Sequence, residues 1–474
     1  MKYALLLLMI VQQRVNGQTN ELTGKLTLKQ CVEIALANNL QVNQSQFSNQ
    51  SDAVNLQQAK GNRLPFVSGY VAHGSNEGRS IDPYTNSYID QTVNFANYGL
   101  SASVYLWNGL SIQNNIKQNE LNYKAGQMDL QQAKDNLTIT VILAYLQVLN
   151  NKEQLNNAVK QANVSKNQVD RLAILNKDGA TAPATYYDMK GQLANDELNI
   201  VSVKNSLESS KLTLVQLMNV SYAASMVLEP IGVDDNPLLY DASSDQIYQT
   251  ALQQMSIVKA YEFRQMSAAK RVVVTKAQLL PSISLNGSLG TNYSSQAYRS
   301  LLQSTADVAT NAYVFVGGNK STVFQPQSVY NEQKISYGDQ WKNNFNSSIS
   351  LVLQVPILNG LQARSRLNQA KIQEKKAGFE SQTTKTQLHQ SIDQAYINMR
   401  SAFERYQTLQ HQVSDFGESF RSAEIRFNSG LGTSVDYMVA KNNVDKANIN
   451  LISAKYDYLL RVKILDYYQG KNLF

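Results

Sequence analysis

The side chains able to do chemistry are few and scattered. Three histidines, His73, His389 and His411, stand at spacings that no metal site uses. Cys31 is the single cysteine, so no intrachain disulfide can form, and the Lys29-Gln30 before it are not the small residues of a lipidation site. No Gly-x-Ser-x-Gly, P-loop or dinucleotide fingerprint occurs. The carboxylates are spread over predicted helix faces, where solvation accounts for them. Neither an enzyme nor a bound metal or cofactor is expected. One carboxylate stands apart. Asp436 lies three residues after Thr433, just past Gly430-Leu431-Gly432. That is the position of a first-turn acid closing a helix N-terminus.

The elements that must carry these residues come in duplicate. A constant shift of 251 positions maps Trp107-Asn108-Gly109-Leu110 onto Leu358-Asn359-Gly360-Leu361, Ala144-Tyr145 onto Ala395-Tyr396 and Gly179 onto Gly430. Upstream, a shift of 216 maps Ala35-Leu36 onto Ala251-Leu252 and Leu64-Pro65 onto Leu280-Pro281. The difference of 35 residues places one insertion between Pro281 and Asn359. A unit of this size is far beyond the period of a solenoid, about 20–50 residues. It reads as an internal structural repeat of a whole module.

The chain opens with Met1-Lys2-Tyr3, an apolar run over 4–11 and a small-residue exit, which reads as a signal peptide over 1–17. A buried N-terminal element is the bland alternative. The run is shorter than the roughly 20 residues a spanning helix needs, and no later stretch is long and apolar enough. The net charge of +7 includes no dense Lys/Arg run with interleaved aromatics, so nucleic acid is not an expected partner.

The first repeat covers 18–220, a linker 221–245 and the second repeat 246–470. Thr27 and Gln30 have capping-box spacing ahead of a short helix, with a second, polar helix after it. Strands are expected at about 64–74 and 97–107, and again at 281–291 and 344–357. Tyr98, Leu100, Ala102, Val104 and Leu106 alternate with small or polar residues, and the shifted set is Ile349, Leu351, Leu353, Val355 and Ile357. Such segments suit a membrane barrel strand; a soluble sandwich edge is the rival reading. Tyr98, Trp107, Trp341 and Phe345 fall near strand ends, where interfacial aromatics meet outer-membrane lipid. The intervening segments, 74–97 and 290–343, read as exposed loops.

Long helices follow at about 110–177 and 361–428. Leu137, Val141, Ala144 and Val148 begin a four-and-three seam that runs to Val169 and Leu172; its shifted copy runs from Leu388 and Ile392 to Phe420 and Ala423. Each helix would be roughly 100 Å long, and a soluble four-helix bundle is the only rival. Turns at Gly179 and Gly430 lead into return helices at 184–219 and 434–468. Four strands cannot close a barrel, and open edges are not tolerated in lipid. Two copies would make a filled barrel of about eight strands, whereas three make about twelve with a water-filled lumen. A homotrimer is the expected assembly.

The duplicated Leu-Pro before the first strand, the Asn-Gly-Leu after the second and Gly430-Leu431-Gly432-Thr433-Ser434-Val435-Asp436 together resemble the TolC-type outer membrane efflux proteins, the outer membrane factor family. The resemblance covers nearly all of the mature chain. It implies a mainly α fold with a transmembrane β portion: a trimeric 12-stranded outer-membrane β-barrel, four strands per chain, continued by a long periplasmic α-helical coiled-coil barrel. It further implies an exit duct of a tripartite system, docked on a periplasmic adaptor protein and an inner-membrane transporter of RND or ABC type. The substrate would be small molecules; a type I protein secretion conduit and a periplasmic scaffold or tether are the alternatives. By the same resemblance Asp436 is a gate candidate at the periplasmic constriction, although the capping role stays open beside it. Val439 stands where some relatives carry a second acid, and Thr185 is the first-half equivalent of Asp436. Gly179, Ala180 and Thr181, with Gly430, Leu431 and Gly432, are the adaptor-contact candidates.

Overall fold

Two capping boxes open the two halves of the chain. The Thr27 hydroxyl accepts the Gln30 amide at 3.2 Å while the Gln30 side chain accepts the Thr27 amide at 2.9 Å. Ser243 and Gln246 repeat the exchange at 3.4 and 3.0 Å. Each box satisfies two amides that a helix start leaves unpaired. The structure is a computed structural model and describes residues 25–81, 86–232, 238–471 and 473. The expected leader over 1–17 lies outside the described residues, as do 233–237 of the linker.

A two-residue strand, β1 (Lys25–Leu26), leads into α1 (Leu28–Asn38) and α2 (Leu40–Gly61). Asn39 breaks them, its side chain accepting the amides of Gln41 and Val42 at 2.9 and 3.3 Å. Then come β2 (Phe66–Asn76), β3 (Arg79–Ile81), β4 (Tyr88–Asp90), β5 (Val93–Trp107), α3 (Ser111–Lys177) and α4 (Pro183–Met218). A short β6 (Val227–Leu228) returns to pair in parallel with β1. The second half runs α5 (Ser244–Gln254), α6 (Ser256–Ala277), β7 (Ser282–Ser294), β8 (Tyr298–Val316), β9 (Asn319–Lys334), α7 (Tyr337–Asn343), β10 (Asn346–Gln354), α8 (Gln362–Asn428) and α9 (Ser434–Tyr468). Helix lengths repeat almost residue for residue: 11 in α1 and α5, 22 in α2 and α6, 67 in α3 and α8, and 36 against 35 in α4 and α9.

The chain folds into two compact units. One holds Asn55–Gln118 and Ala269–Ile372, with all the long strands; the other holds the remaining, mainly helical, segments. In the first, β10, β7, β5 and β2 form an antiparallel sheet in that order. Register puts Val67, Ala102, Gly287 and Ile349 in one lateral row, and Leu285 between Val104 and Leu351. On the opposite face Ser68, Ser101, Ser288 and Ser348 line up across all four strands. The Ser68 and Ser101 hydroxyls are 2.9 Å apart and those of Ser288 and Ser348 2.8 Å. One face is therefore apolar and the other polar without charge along these rows. Ile349 and Leu351 are 84% and 66% exposed on the apolar side.

All four strands join helices at the same end of the sheet. The Asn-Gly-Leu motifs make two of those joints. Gly109 and Leu110 have φ of +65° and +62°, Gly360 and Leu361 +61° and +64°. The amides of Ser111 and Gln362 each donate to the preceding Asn carbonyl at 3.2 Å, closing turns with two left-handed central residues. A Cβ at Gly109 would lie 3.0 Å from the Leu280 side chain.

The segments expected to be loops are more ordered than their composition suggests. Within 74–97 lies the β3–β4 hairpin, and within 290–343 the longer β8–β9 hairpin and α7. The strands of the second hairpin slip register twice, between Leu302 and Ser304 and between Ala309 and Tyr313, which breaks the period-two pattern in sequence. β5 likewise starts at Val93, so Tyr98 sits inside it, opposite Val71 and Thr291, rather than near its end. Pairing on both sides prolongs the strand.

In the helical unit the two seams carry the cores. Val141, Val148, Leu172, Ile392 and Met399 are buried. The polar members of the first seam are satisfied: Asn151 donates to the Ser206 carbonyl at 3.0 Å and Ser165 donates to the Asp196 carboxylate. Cys31 is fully enclosed, and burial pushes its thiol up to about 12, consistent with a small hydrophobe inside α1. Tyr145 lies below it, its hydroxyl 3.0 Å from the Leu26 carbonyl and 2.7 Å from that of Glu229. It thereby ties α3 to the β1–β6 pair. Tyr145→Phe removes the hydroxyl's bond to the Glu229 carbonyl, while the Leu26 carbonyl keeps the Glu229 amide as a donor; it should cost about 1 kcal/mol, read as a midpoint lower by a few degrees in thermal unfolding followed by circular dichroism. An unchanged midpoint would show that the hydroxyl contributes nothing.

Candidate functional site

The helical hairpins end where glycine permits a left-handed residue. Gly179 and Gly430 have φ of +70° and +76°. The Ala180 amide returns to the Leu175 carbonyl at 2.8 Å, and the Leu431 amide to the Arg426 carbonyl at 2.9 Å. Both are Schellman closures of a long helix. Beyond them the halves diverge. At Gly432 a Cβ would fall 3.1 Å from the Phe427 amide nitrogen and 3.3 Å from the Arg426 Cβ, so the second turn folds back more tightly than Thr181 allows the first to do. α9 then opens with a full capping box: the Asp436 amide reaches the Thr433 hydroxyl at 3.1 Å, and the Asp436 carboxylate accepts the Thr433 amide at 3.4 Å. α4 opens at Pro183 with no side-chain cap on Ala182. Leu431 is 77% exposed and packs on nothing large.

The two hairpins are tied together just behind their turns. The Arg171 guanidinium donates to the Asn428 side chain and, at 2.7 Å, to its carbonyl. Ser434 donates to Asp188 at 3.3 Å. Val169, Leu172, Met189 and Tyr437 form a small core there, with the Phe420 and Phe427 rings 5.4 and 5.1 Å from that of Tyr437.

Next to this core is a charged cluster that sequence reasoning missed. Lys441, 1% exposed, reaches Asp196 at 2.9 Å and Asp445 at 2.6 Å. Ser165 and Gln192 supply further donors to Asp196. Burial raises the Asp445 carboxyl above the usual carboxylate range, against the opposing pull of the Lys441 ammonium and with a smaller push from Asp196. The (i, i+4) pair of Lys441 and Asp445 is legible in sequence. Asp196 is not, because its repeat counterpart is Ala447 and the counterpart of Lys441 is Lys190, which is exposed. The two halves thus hold different parts of one ion cluster.

The aromatics expected at an interface separate into two levels of the sheet. The Tyr98 ring lies 4.5 Å from that of Trp341 of α7, tilted by 58°, and Phe345 precedes β10 at the end away from the four helix joints. Trp107 closes β5 at the helix end. From Tyr98 to Trp107 is roughly 30 Å of strand.

The sequence profile of the outer membrane efflux protein family matches residues 31–220 and again 247–470. The outer membrane protein TolC of Vibrio cholerae is 23% identical over 341 residues, 72% of this chain and 69% of that protein. Among solved structures, the CmeC outer membrane channel of Campylobacter jejuni aligns with a TM-score of 0.74 at 17% identity, over 94% of this chain and 87% of that one. The MtrE outer membrane channel of Neisseria gonorrhoeae, in its open state, aligns with a TM-score of 0.71 at 16% identity, over 94% and 89%. The shared fold is mainly helical with a β portion and an internal repeat.

Lys441→Met leaves two buried carboxylates facing each other and should cost about 3 kcal/mol or more. Adding Asp196→Asn should return part of that loss. Hydrogen exchange of α9 amides near Lys441 checks both, and equal protection in all three proteins would remove the cluster as a stabilising link.

Proposed function

The chain belongs to the outer membrane efflux protein family, and on that premise we propose that three copies close into a passive exit duct for small molecules. It is a protein of the cell outer membrane. The observation that carries the proposal is the four-stranded sheet: apolar on one face, serine-lined on the other and open along β2 and β10. In hydrocarbon those edges need partners, and a second copy supplies β2 to β10. Three copies give about twelve strands and a lumen wide enough for water. The polar rows then face the pore, and the apolar rows face lipid.

The helices continue the conduit on the periplasmic side, and the hairpin turns meet a periplasmic adaptor that couples the duct to an inner-membrane transporter of RND or ABC type. Leu431 is the exposed apolar anchor for that contact. Asp436 caps α9 and, repeated three times around the pore axis, adds a ring of negative charge at the periplasmic entrance. The two roles are compatible, since one carboxylate oxygen accepts the Thr433 amide and the other remains for solvent or a passing cation.

Two measurements test this. Purified protein run unheated should migrate as a trimer and conduct in planar bilayers, and Asp436→Asn, which keeps an acceptor for the cap, should lower cation preference. Unchanged selectivity in an intact trimer would leave Asp436 as a cap only. Leu431→Asp should lower export several-fold in cells while the trimer still forms; normal export would remove this residue from the adaptor contact.

A further inference from the structure

The β8–β9 hairpin is the largest departure from the internal repeat: it stands where the first half has the much shorter β3–β4 hairpin. Among the described residues its strands pair only with each other. A lone two-stranded ribbon is marginal in water, yet this one is firmly rooted. Gln340, fully buried, accepts the Ser294 amide at 2.9 Å and donates to the Ser294 and Ile335 carbonyls at 3.0 and 3.1 Å. Ala297, also fully buried, accepts the Ile335 amide at 2.9 Å. The hairpin leaves the sheet at the end opposite the four helix joints, which is the extracellular end when the helices lie in the periplasm.

Its two faces differ. Pairing of Tyr313 with Thr322, Phe315 with Lys320 and Leu302 with Tyr330 puts these side chains on one face with Phe324. That face carries these rings together with Asp307 and Glu332, and the Lys320 ammonium sits 3.8 Å from the Tyr313 ring centre. Val308, Val314, Val316, Leu301 and Val329 put aliphatic side chains on the other face, interspersed with Arg299, Gln325, Gln327 and Asn331. Phe315 and Phe324 are 70% and 61% exposed, Val316 and Val314 63% and 50%. Among the described residues nothing covers either face.

We propose that the arm is an interaction surface for a second copy of the same chain: the aromatic face of each arm packs on the aliphatic face of the next, forming a closed extracellular cuff of three. The proposal rests on the trimeric reading above. A cyclic trimer gives every arm two neighbours through a heterologous contact, which is the symmetry a two-faced ribbon requires. The arm rises between β7 and β10, and β10 is the edge that must meet the next copy. The area also suffices. A strand of 19 residues is roughly 60 Å long, so one face of the ribbon offers on the order of 600 Å², and two such faces reach the lower bound of about 1,200 Å² for a stable interface.

The test is cysteine cross-linking in intact outer membranes. Val308 and Phe324 lie at neighbouring heights on opposite faces, so Val308→Cys and Phe324→Cys in one chain cannot bridge within an arm. Oxidation of the double variant should yield covalent dimer and trimer, whereas each single variant and the parent, whose Cys31 is buried, stay monomeric on denaturing gels. A double variant that remains monomeric while its unheated trimer persists would overturn the cuff and leave the duct standing. Cross-linking of either single variant would show like faces meeting and overturn the arrangement. Loss of the unheated trimer in the parent protein would overturn the trimeric reading and the cuff with it.

Discussion

Backbone amides and carbonyls without partners cost several kcal/mol each in hydrocarbon, and the four-stranded sheet leaves a row of them along each of β2 and β10. Most of the architecture follows from that constraint. The sheet needs partners at both edges, so the chain cannot act alone in a membrane. Its strands must alternate between a lipid face and a pore face, which explains why Ile349, Leu351 and Leu353 stay exposed while the opposite rows are rich in serine, asparagine and glycine, with Phe66, Tyr70, Tyr105 and Val352 among them. With the joints to α2, α3, α6 and α8 at one end of the sheet, the other end carries the hairpins and α7.

The duplication answers the same constraint economically. One module of short helix, polar helix, two strands, long helix and return helix is used twice, so in the proposed trimer each chain contributes two nearly equal sectors. Equal helix lengths and equal Asn-Gly-Leu turns keep the sectors interchangeable where walls are built. The halves differ in three places: the β8–β9 arm, the hairpin turns with Asp436 against Thr185, and the ion cluster of Asp196, Lys441 and Asp445. The cluster is costly to bury, and its charges come from both halves, so it registers one helical hairpin against the other.

Much of this was legible in sequence because it is written in local periods. The heptad seams, the capping residues Thr27, Gln30 and Asp436, and the glycines of the hairpin turns each act within a few residues of themselves, and each occupies the expected position. The arm was not legible. Its Ser, Thr, Gln and Asn content reads as loop, and the slip between Leu302 and Ser304 reverses the parity of β8 while that between Ala309 and Tyr313 interrupts it, so no constant alternation runs through it. Tyr98 was misplaced for a related reason: the pairing that extends β5 to Val93 comes from β2 and β7, not from β5.

The sequence by itself determined the duplicated module, the helices with their seams and ends, and the presence of barrel-type strands, because propensity, capping and period depend on neighbours in the chain. The tertiary structure alone decided which residues share a row and which charges meet. Ser68, Ser101, Ser288 and Ser348 align only through the register of three strand pairs. Lys441 finds Asp196 across 245 positions, and the faces of the arm follow from where its bulges fall. Contacts of that separation have no signature in a single sequence, since the physics that selects them is the packing of elements already formed.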